Sequence, residues 1–350
     1  MDNKILSVLD LYVDFTVRGG VLQAIRGVDL DVYKGETVAI VGESGSGKSV
    51  FTKTFTGMLE KNGRISRGNI LFHSDGQTID LAKLSGNRRW QQIRGGKIAT
   101  VFQDPMTALN PVVTIGKQMT AVIRRHFHCT GTEAKRQALE MMEKVGIVDP
   151  ERRFDEYPFQ YSGGMRQRIV IAIALSCRPE ILICDEPTTA LDVTIQAQIL
   201  NLIKQLQKDL GFTVIFITHD LGVVANMADR VAVLYAGQIV ELGTAEEIFY
   251  DPRHPYTWAL LSSLPQLATQ NAPLYAIPGT PPSLYRSITG DAFAPRNPYC
   301  MEIDKVKQPP VFQVSPTHFA KTWLLDPRAP KVEKPERIQN LHNRLRRTGL

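Results

Sequence analysis

Residues 37–49, TVAIVGESGSGKS, constrain this chain more than any other stretch. A short apolar run that reads as a strand leads directly into a glycine loop. The stretch SVFTKTFTGML that follows reads as helix. GESGSGKS, at 42–49, satisfies every position of G-x-x-x-x-G-K-[ST], and it sits between strand and helix as that pattern requires. Glycine lets backbone N–H groups approach a ligand closely. Gly42, Ser44, Gly45, Ser46 and Gly47 are therefore expected to surround a phosphate chain. Lys48 would bridge its β- and γ-phosphates, and the Ser49 hydroxyl would bind Mg2+.

ILICDEP, 181–187, supplies a second element of the same chemistry. Four apolar residues form a buried strand that ends in two adjacent carboxylates. A carboxylate pair at a strand end is often no more than a solvated edge. After a complete phosphate loop in the same chain, the catalytic reading prevails. Asp185 is expected to hold the magnesium through its water shell, and Glu186 to polarise the attacking water. His219 follows another apolar strand, TVIFIT, one crossover later, where contact with a γ-phosphate is reasonable for a residue that elsewhere is more often structural. Gln103, in VFQDPMTALNP, also ends an apolar strand and is expected to reach the metal or the water.

YSGGMRQR, 161–168, reads as a helix start: Ser162 as cap, Gly163 and Gly164 leaving bare N–H groups, and IVIAIAL carrying the helix into a core. Helix N-termini attract phosphate, but many capped helices bind nothing. GTEAKRQALEMMEKVGI has helical periodicity with Ala138, Met141, Met142 and Val145 on one face, and TIQAQILNLIKQLQKDL is a helix between two strands. Strand, helix and strand in that order imply a parallel sheet with crossover helices. Residues 1–100 read mostly as β structure, with hairpins punctuated by RGG, RG and KG.

Composition removes several classes. Hydrophobic content of 43% and charged content of 22% suit an ordinary globular protein. No apolar run approaches the roughly 18 residues that span a bilayer. The N-terminus, with Asp2, Asp10 and Asp14, lacks a signal-peptide layout. The net charge of +6 is concentrated in KVEKPERIQNLHNRLRRTGL, which argues against a nucleic-acid surface; a basic tail suits contact with anionic lipid or a partner, and a solvated terminal helix at least as well. Cys129, Cys177, Cys184 and Cys300 show no metal-ligand spacing and fit a reduced, cytosolic chain.

The ordered set GESGSGKS, VFQDP, YSGGMRQR, ILICDEP, TALD and ITHD, over roughly residues 5–250, resembles the nucleotide-binding subunits of ABC transporters. The resemblance implies an α/β fold: a P-loop ABC nucleotide-binding domain with a β-rich N-terminal subdomain, a helical subdomain near 104–180 and a short irregular C-terminal extension. The implied division is 1–262 for the ATPase domain and 263–350 for the extension. In this family YSGGMRQR corresponds to the signature loop. The resemblance thus implies that Ser162, Gly163 and Gly164 face ATP held by the opposite subunit, while Asp192 couples the two composite sites. Met165 stands where many relatives carry Gln. For the aromatic that stacks on adenine, Tyr12, Phe15 and Tyr33 are available, with Phe15 preferred and the insertion around VRGG obscuring the choice.

DPRHPYTWALLSSLP, IPGTPPSL and FAPRNPYCMEIDKVKQPPVFQV are similar to the extension of oligopeptide and dipeptide importer ATPases, the OppD/DppD type, nearest to the cysteine-poor streptococcal and lactococcal ones. Many relatives hold an iron–sulfur cluster there. Matching that pattern puts Asp291, Asn297, Asp304 and Lys321 at the four ligand places, with Cys300 outside them. Without thiolates, no iron–sulfur cluster is expected. The resemblance implies ATP and Mg2+ as cofactors, with Ser49, Gln103 and Asp185 around the metal, and a peripheral site on the cytoplasmic face of the cell membrane. Its implied partners are a second, homologous ABC ATPase, two permeases and an extracellular peptide-binding lipoprotein, and no nucleic acid. Nickel or antimicrobial-peptide uptake shares the extension. ABC ATPases of ribosomes or DNA usually carry two cassettes or a long coiled-coil insertion, which this sequence lacks.

Overall fold

A computed structural model describes residues 3–189, 191–264, 276–285, 287–336, 338 and 339. The linker at 265–275 and the end of the basic tail at 340–350 lie outside the described residues. The chain forms two compact units, one of Met1–Val32, Glu36–Lys83 and Thr218–Leu350, the other of Tyr33–Gly35 and Leu84–Ile217. Residues on both sides of position 262 thus belong to the first unit. In chain order the strands are β1 (Lys4–Val17), β2 (Gly20–Tyr33), β3 (Thr37–Val41), β4 (Gly63–Ser74), β5 (Gln77–Asp80) and β6 (Ile98–Val101). They continue with β7 (Ile181–Asp185), β8 (Thr213–Thr218), β9 (Arg230–Tyr235), β10 (Gln238–Thr244), β11 (Phe312–Gln313) and β12 (Phe319–Ala320).

The first unit opens with an antiparallel sheet in the order β2-β1-β4-β5. VRGG forms the tight turn joining β1 to β2, with Gly19 at φ 95° supplying a conformation other residues resist. In the same unit β9 pairs parallel to β3 and antiparallel to β10, β10 continues to β12, and β12 to β11. The last two strands therefore extend the ladder of the unit that carries the glycine loop. Packing joins them as well: Val41, Val233 and Tyr235 share one buried cluster with Tyr256, Trp258 and Phe293. Rings of Tyr235, Tyr256 and Phe293 meet at centroid distances of 4.5 to 5.3 Å.

The second unit holds β6, β7 and β8 in parallel, with Ile98 opposite Ile181 and Ile181 opposite Thr213. All six residues of TVIFIT are buried, as expected for a parallel strand covered on both faces. Helix Gly131–Lys144 starts in a capping box: Thr130 Oγ1 accepts from Glu133 N–H and the Glu133 carboxylate accepts from Thr130 N–H. Those bonds hold the Glu133 carboxyl below its ordinary range. Ala138, Met141, Met142 and Val145 are all buried, and Ala134 joins them one turn earlier.

The helix after the glycine loop is shorter than SVFTKTFTGML suggested. It runs from Lys48 to Lys53, tightens into a 3-10 turn at Thr54–Thr56 and stops at Gly57, φ 59°. The threonines explain this. Thr52, Thr54 and Thr56 hydroxyls all bond back to carbonyls of the preceding turn, competing with continuation of the helix. Among the described residues, no helix is long and apolar enough to cross a membrane.

Candidate functional site

The glycine loop is built from the backbone outward. β3 is buried throughout and delivers the chain to Gly42, whose φ is 155°. A Cβ on Gly42 would come within 2.1 Å of the Leu234 carbonyl oxygen, and one on Gly47 (φ 107°) within 2.9 Å of the Ala24 carbonyl oxygen. Both positions exclude side chains for reasons of space as well as torsion. Gly237 N–H donates to the Ser46 carbonyl at 2.9 Å, and Arg26 holds the same turn through Gly237 and the Ala236 carbonyl.

Within this frame Lys48 is buried, and its Nζ donates to the carbonyls of Gly42 at 2.8 Å and Glu43 at 3.0 Å. The ammonium is thus curled back over the loop it belongs to. Ser46 Oγ is buried and has no hydrogen-bond partner among the described residues, whereas Ser44 and Gly45 are exposed and Ser49 half-buried. A cradle closed to Cβ atoms, an orphaned hydroxyl and a buried cation suit a polyphosphate.

In the second unit β7 ends at Asp185, half-buried and opposite Ile217. Glu186 follows with φ 47°, a left-handed conformation uncommon for a side chain of this kind. Its N–H donates to the Ile217 carbonyl at 2.9 Å. Its carboxylate Oε2 accepts from Thr189 Oγ1 at 3.0 Å and from Gln103 Nε2 at 3.3 Å. Gln103 and Glu186, far apart in sequence, therefore meet. Thr189 opens the TALD stretch, but no role of its own was expected for it from the sequence. Ser49, Gln103 and Asp185 offer hydroxyl, amide and carboxylate oxygens, the donor types Mg2+ takes. Among the described residues there is no cluster of three or more His, Cys, Asp or Glu that could hold a metal ion.

Ser162 caps helix Gly163–Leu175 through Met165 N–H at 3.3 Å. Ser162 and Gly163 are exposed. A Cβ on Gly164 would meet Ile195 at 2.8 Å, whereas one on Gly163 would find nothing nearer than Leu191 at 3.9 Å among the described residues. Asp192 caps helix Val193–Leu210 through Ile195 N–H at 3.0 Å, so the start of one helix rests on the start of the other. His219 is exposed just beyond β8, and Asp220 after it caps the next helix. Phe15 stands opposite Gly63 in the β1–β4 ladder with its ring over that glycine, and remains half-buried.

In the extension Asp291, Asn297, Asp304 and Lys321 are engaged locally. Asp291 and Asn297 side chains accept from Phe293 and Tyr299 N–H, Asp304 accepts from Met301 N–H, and Lys321 N–H donates to the Val240 carbonyl. Burial pushes the Asp291 carboxyl up to about 6 and the Cys177 thiol up to about 11. Cys184 is fully buried, with its thiol shifted up for the same reason.

These features define a P-loop nucleotide-binding protein. An ABC transporter family description matches residues 25–189, and a description of the oligopeptide/dipeptide transporter C-terminal region matches 240–303. The oligopeptide transport ATP-binding protein AmiE of Streptococcus pneumoniae is 66% identical over 98% of this chain and 96% of its own. OppD of Bacillus subtilis, another oligopeptide transport ATP-binding protein, is 55% identical over 99% of this chain and 96% of its own. A dimeric ATP-binding cassette in a post-hydrolysis state, bound to ADP and Pi, superposes with a TM-score of 0.59 at 28% identity, covering 69% of this chain and 98% of that one. The chain belongs to the ATP-binding subunits of ABC transporters, in their oligopeptide and dipeptide branch.

Proposed function

We propose that this chain binds and hydrolyses ATP to drive oligopeptide import through a membrane permease. The observation that carries the reading is similarity along nearly the whole chain, in the cassette and in the C-terminal segment alike, to oligopeptide transport ATP-binding proteins. The division at about residue 262 remains our reading of where cassette gives way to extension.

The roles follow from local chemistry. Gly42, Ser44, Gly45, Ser46 and Gly47 surround the phosphates. Lys48 leaves the loop carbonyls for the β- and γ-phosphate oxygens, a charge-assisted exchange. Ser49, Asp185 and Gln103 would hold Mg2+, which would supply screening of the phosphate charge when bound. Glu186, placed by Thr189 and Gln103, takes a proton from the attacking water, and His219 orients the outer phosphate. Phe15 is our choice for the adenine face. Ser162, Gly163 and Gly164 meet the nucleotide of a second, homologous ATPase, and Asp192 ties that contact to its own chain. The dimeric state of the solved cassette supports this arrangement. Two permeases and an extracellular peptide-binding lipoprotein complete the assembly, which places this subunit on the cytoplasmic face of the membrane. Nucleotide then acts as a ligand of the closed state, and hydrolysis reopens it.

The test is purification of the tagged chain in mild detergent from its native membranes. Two permeases, a second ATPase and a peptide-binding lipoprotein should co-purify. Recovery with ribosomes, or in a complex without permeases, would refute the transport reading.

A further inference from the structure

The C-terminal segment reaches the glycine loop through one side chain. Arg296 lies in the single 3-10 turn Ala294–Arg296 and is only 6% exposed. Its Nη1 donates to Glu43 Oε2 at 2.6 Å and to the Tyr235 hydroxyl at 3.2 Å. Nη2 donates to Glu43 Oε1 at 2.9 Å and to the Ile277 carbonyl at 3.4 Å, and Nε to the Pro278 carbonyl at 2.9 Å. A guanidinium has five N–H donors, and here each has its own acceptor. The fork meets the carboxylate through two parallel bonds, a geometry a lysine cannot reproduce. Rings of Tyr235 and Phe293 lie 5.8 and 5.9 Å from the guanidinium carbon.

Glu43 is the second residue of GESGSGKS, and its other polar groups are committed too. Its N–H donates to the Tyr256 hydroxyl at 2.8 Å, and its carbonyl accepts from Lys48 Nζ at 3.0 Å and Ser46 N–H at 3.2 Å. A carboxylate on a loop that wraps a polyphosphate is a like charge next to the ligand. Left unpaired it would repel what the loop binds. Bound to Arg296, it is both neutralised and drawn toward the extension.

We propose that Arg296 is a positioning residue for nucleotide capture: by holding and neutralising Glu43, it makes the affinity of the glycine loop for ATP depend on the C-terminal segment. The proposal rests on the reading of residues 42–49 as the phosphate loop, and it adds that the extension acts on that loop. Arg296 acts through Glu43 and need not touch the nucleotide.

The experiment is calorimetric titration of the full-length chain with ADP and with ATP. Arg296→Ala should raise the Kd for ATP about tenfold, because it leaves a part-buried carboxylate without its partner. The loss should be larger for ATP than for ADP, since each added phosphate meets the same uncancelled charge. In a Glu43→Gln background, Arg296→Ala should change the Kd less than about threefold. Arg296→Gln, which keeps amide donors but no charge, should behave as Arg296→Ala does and covers the case in which the alanine variant does not fold. Equal losses for ADP and ATP, or a loss that persists in the Glu43→Gln background, would show ordinary packing and overturn the proposal. A parallel Lys48→Ala titration separates the two readings. If Lys48→Ala loses ATP while both Arg296 variants bind normally, the brace alone fails. If Lys48→Ala binds ATP as the native chain does, the phosphate-loop reading falls and takes the brace with it.

Discussion

Residues 42–49 and 161–168 are both glycine-containing loops that open helices, yet the molecule treats them differently. In the first, Gly42 and Gly47 are required by neighbouring carbonyls, Lys48 is buried, and Glu43 is bonded through its side chain, N–H and carbonyl. In the second, Ser162 and Gly163 are exposed, and among the described residues nothing comes nearer than Leu191, at 3.9 Å, to a Cβ placed on Gly163. A glycine whose absence of side chain serves no contact inside its own chain is best placed to serve one outside it. The first loop is braced within its unit; the second leaves the start of its helix open, as the proposed contact with a second ATPase requires.

The widest separation between capture and chemistry should come from Glu186→Gln. Hydrolysis should fall by roughly 10²–10⁴-fold, while ATP binding to residues 42–49 stays intact. Retained hydrolysis in a phosphate-release assay would remove Glu186 from the base role. Lys48→Ala should act on the other side of the comparison, raising the Kd for ATP on the order of tenfold to a hundredfold through lost charge-assisted bonds.

A glycine pair tests the contrast directly. Gly47→Ala should lower the thermal unfolding midpoint, because φ of 107° and the Ala24 carbonyl oppose a Cβ. Gly163→Val should leave that midpoint within about 2 °C yet cut ATPase turnover of the assembled transporter about tenfold or more. If Gly163→Val unfolds the isolated chain, its outward role is wrong.

The smallest effect concerns the frame behind the first loop. His254 is fully buried, caps the helix carrying Tyr256, and burial pushes its imidazole down to about 3. The unfolded chain takes up a proton there below about pH 6.5, whereas the folded one does not. Its stability is therefore full above pH 6.5 and is lost as pH falls toward 3, by about 2 kcal/mol at pH 5. The raised Asp291 carboxyl works in the opposite sense, so the difference is read between variants by denaturant unfolding. His254→Asn should make the change in unfolding free energy from pH 8 to pH 5 more favourable by about 2 kcal/mol than in the native chain. An unchanged difference in the variant would exclude His254 as its source.

Much of the site was legible because its signals are local. TVAIV followed by GESGSGKS specifies strand, loop and lysine within a dozen residues, and Ser162 caps its helix through the N–H three residues on. What misled was local too: SVFTKTFTGML has a helical look, but threonine hydroxyls that bond to the backbone close the helix early.

By itself, then, the sequence determined the order of the candidate groups: residues 42–49, Gln103, residues 161–168, Asp185 with Glu186, and His219, each at the end of a strand or the start of a helix. Such placements follow from torsional preferences and hydrogen bonds spanning a few residues. Only the tertiary structure decided that Gln103 and Thr189 share the Glu186 carboxylate, that Glu186 takes a left-handed backbone, and that Arg296 clamps Glu43. A buried charge accepts any partner that packing brings within about 3 Å, however far away it lies in the chain, and no local pattern records which one that is.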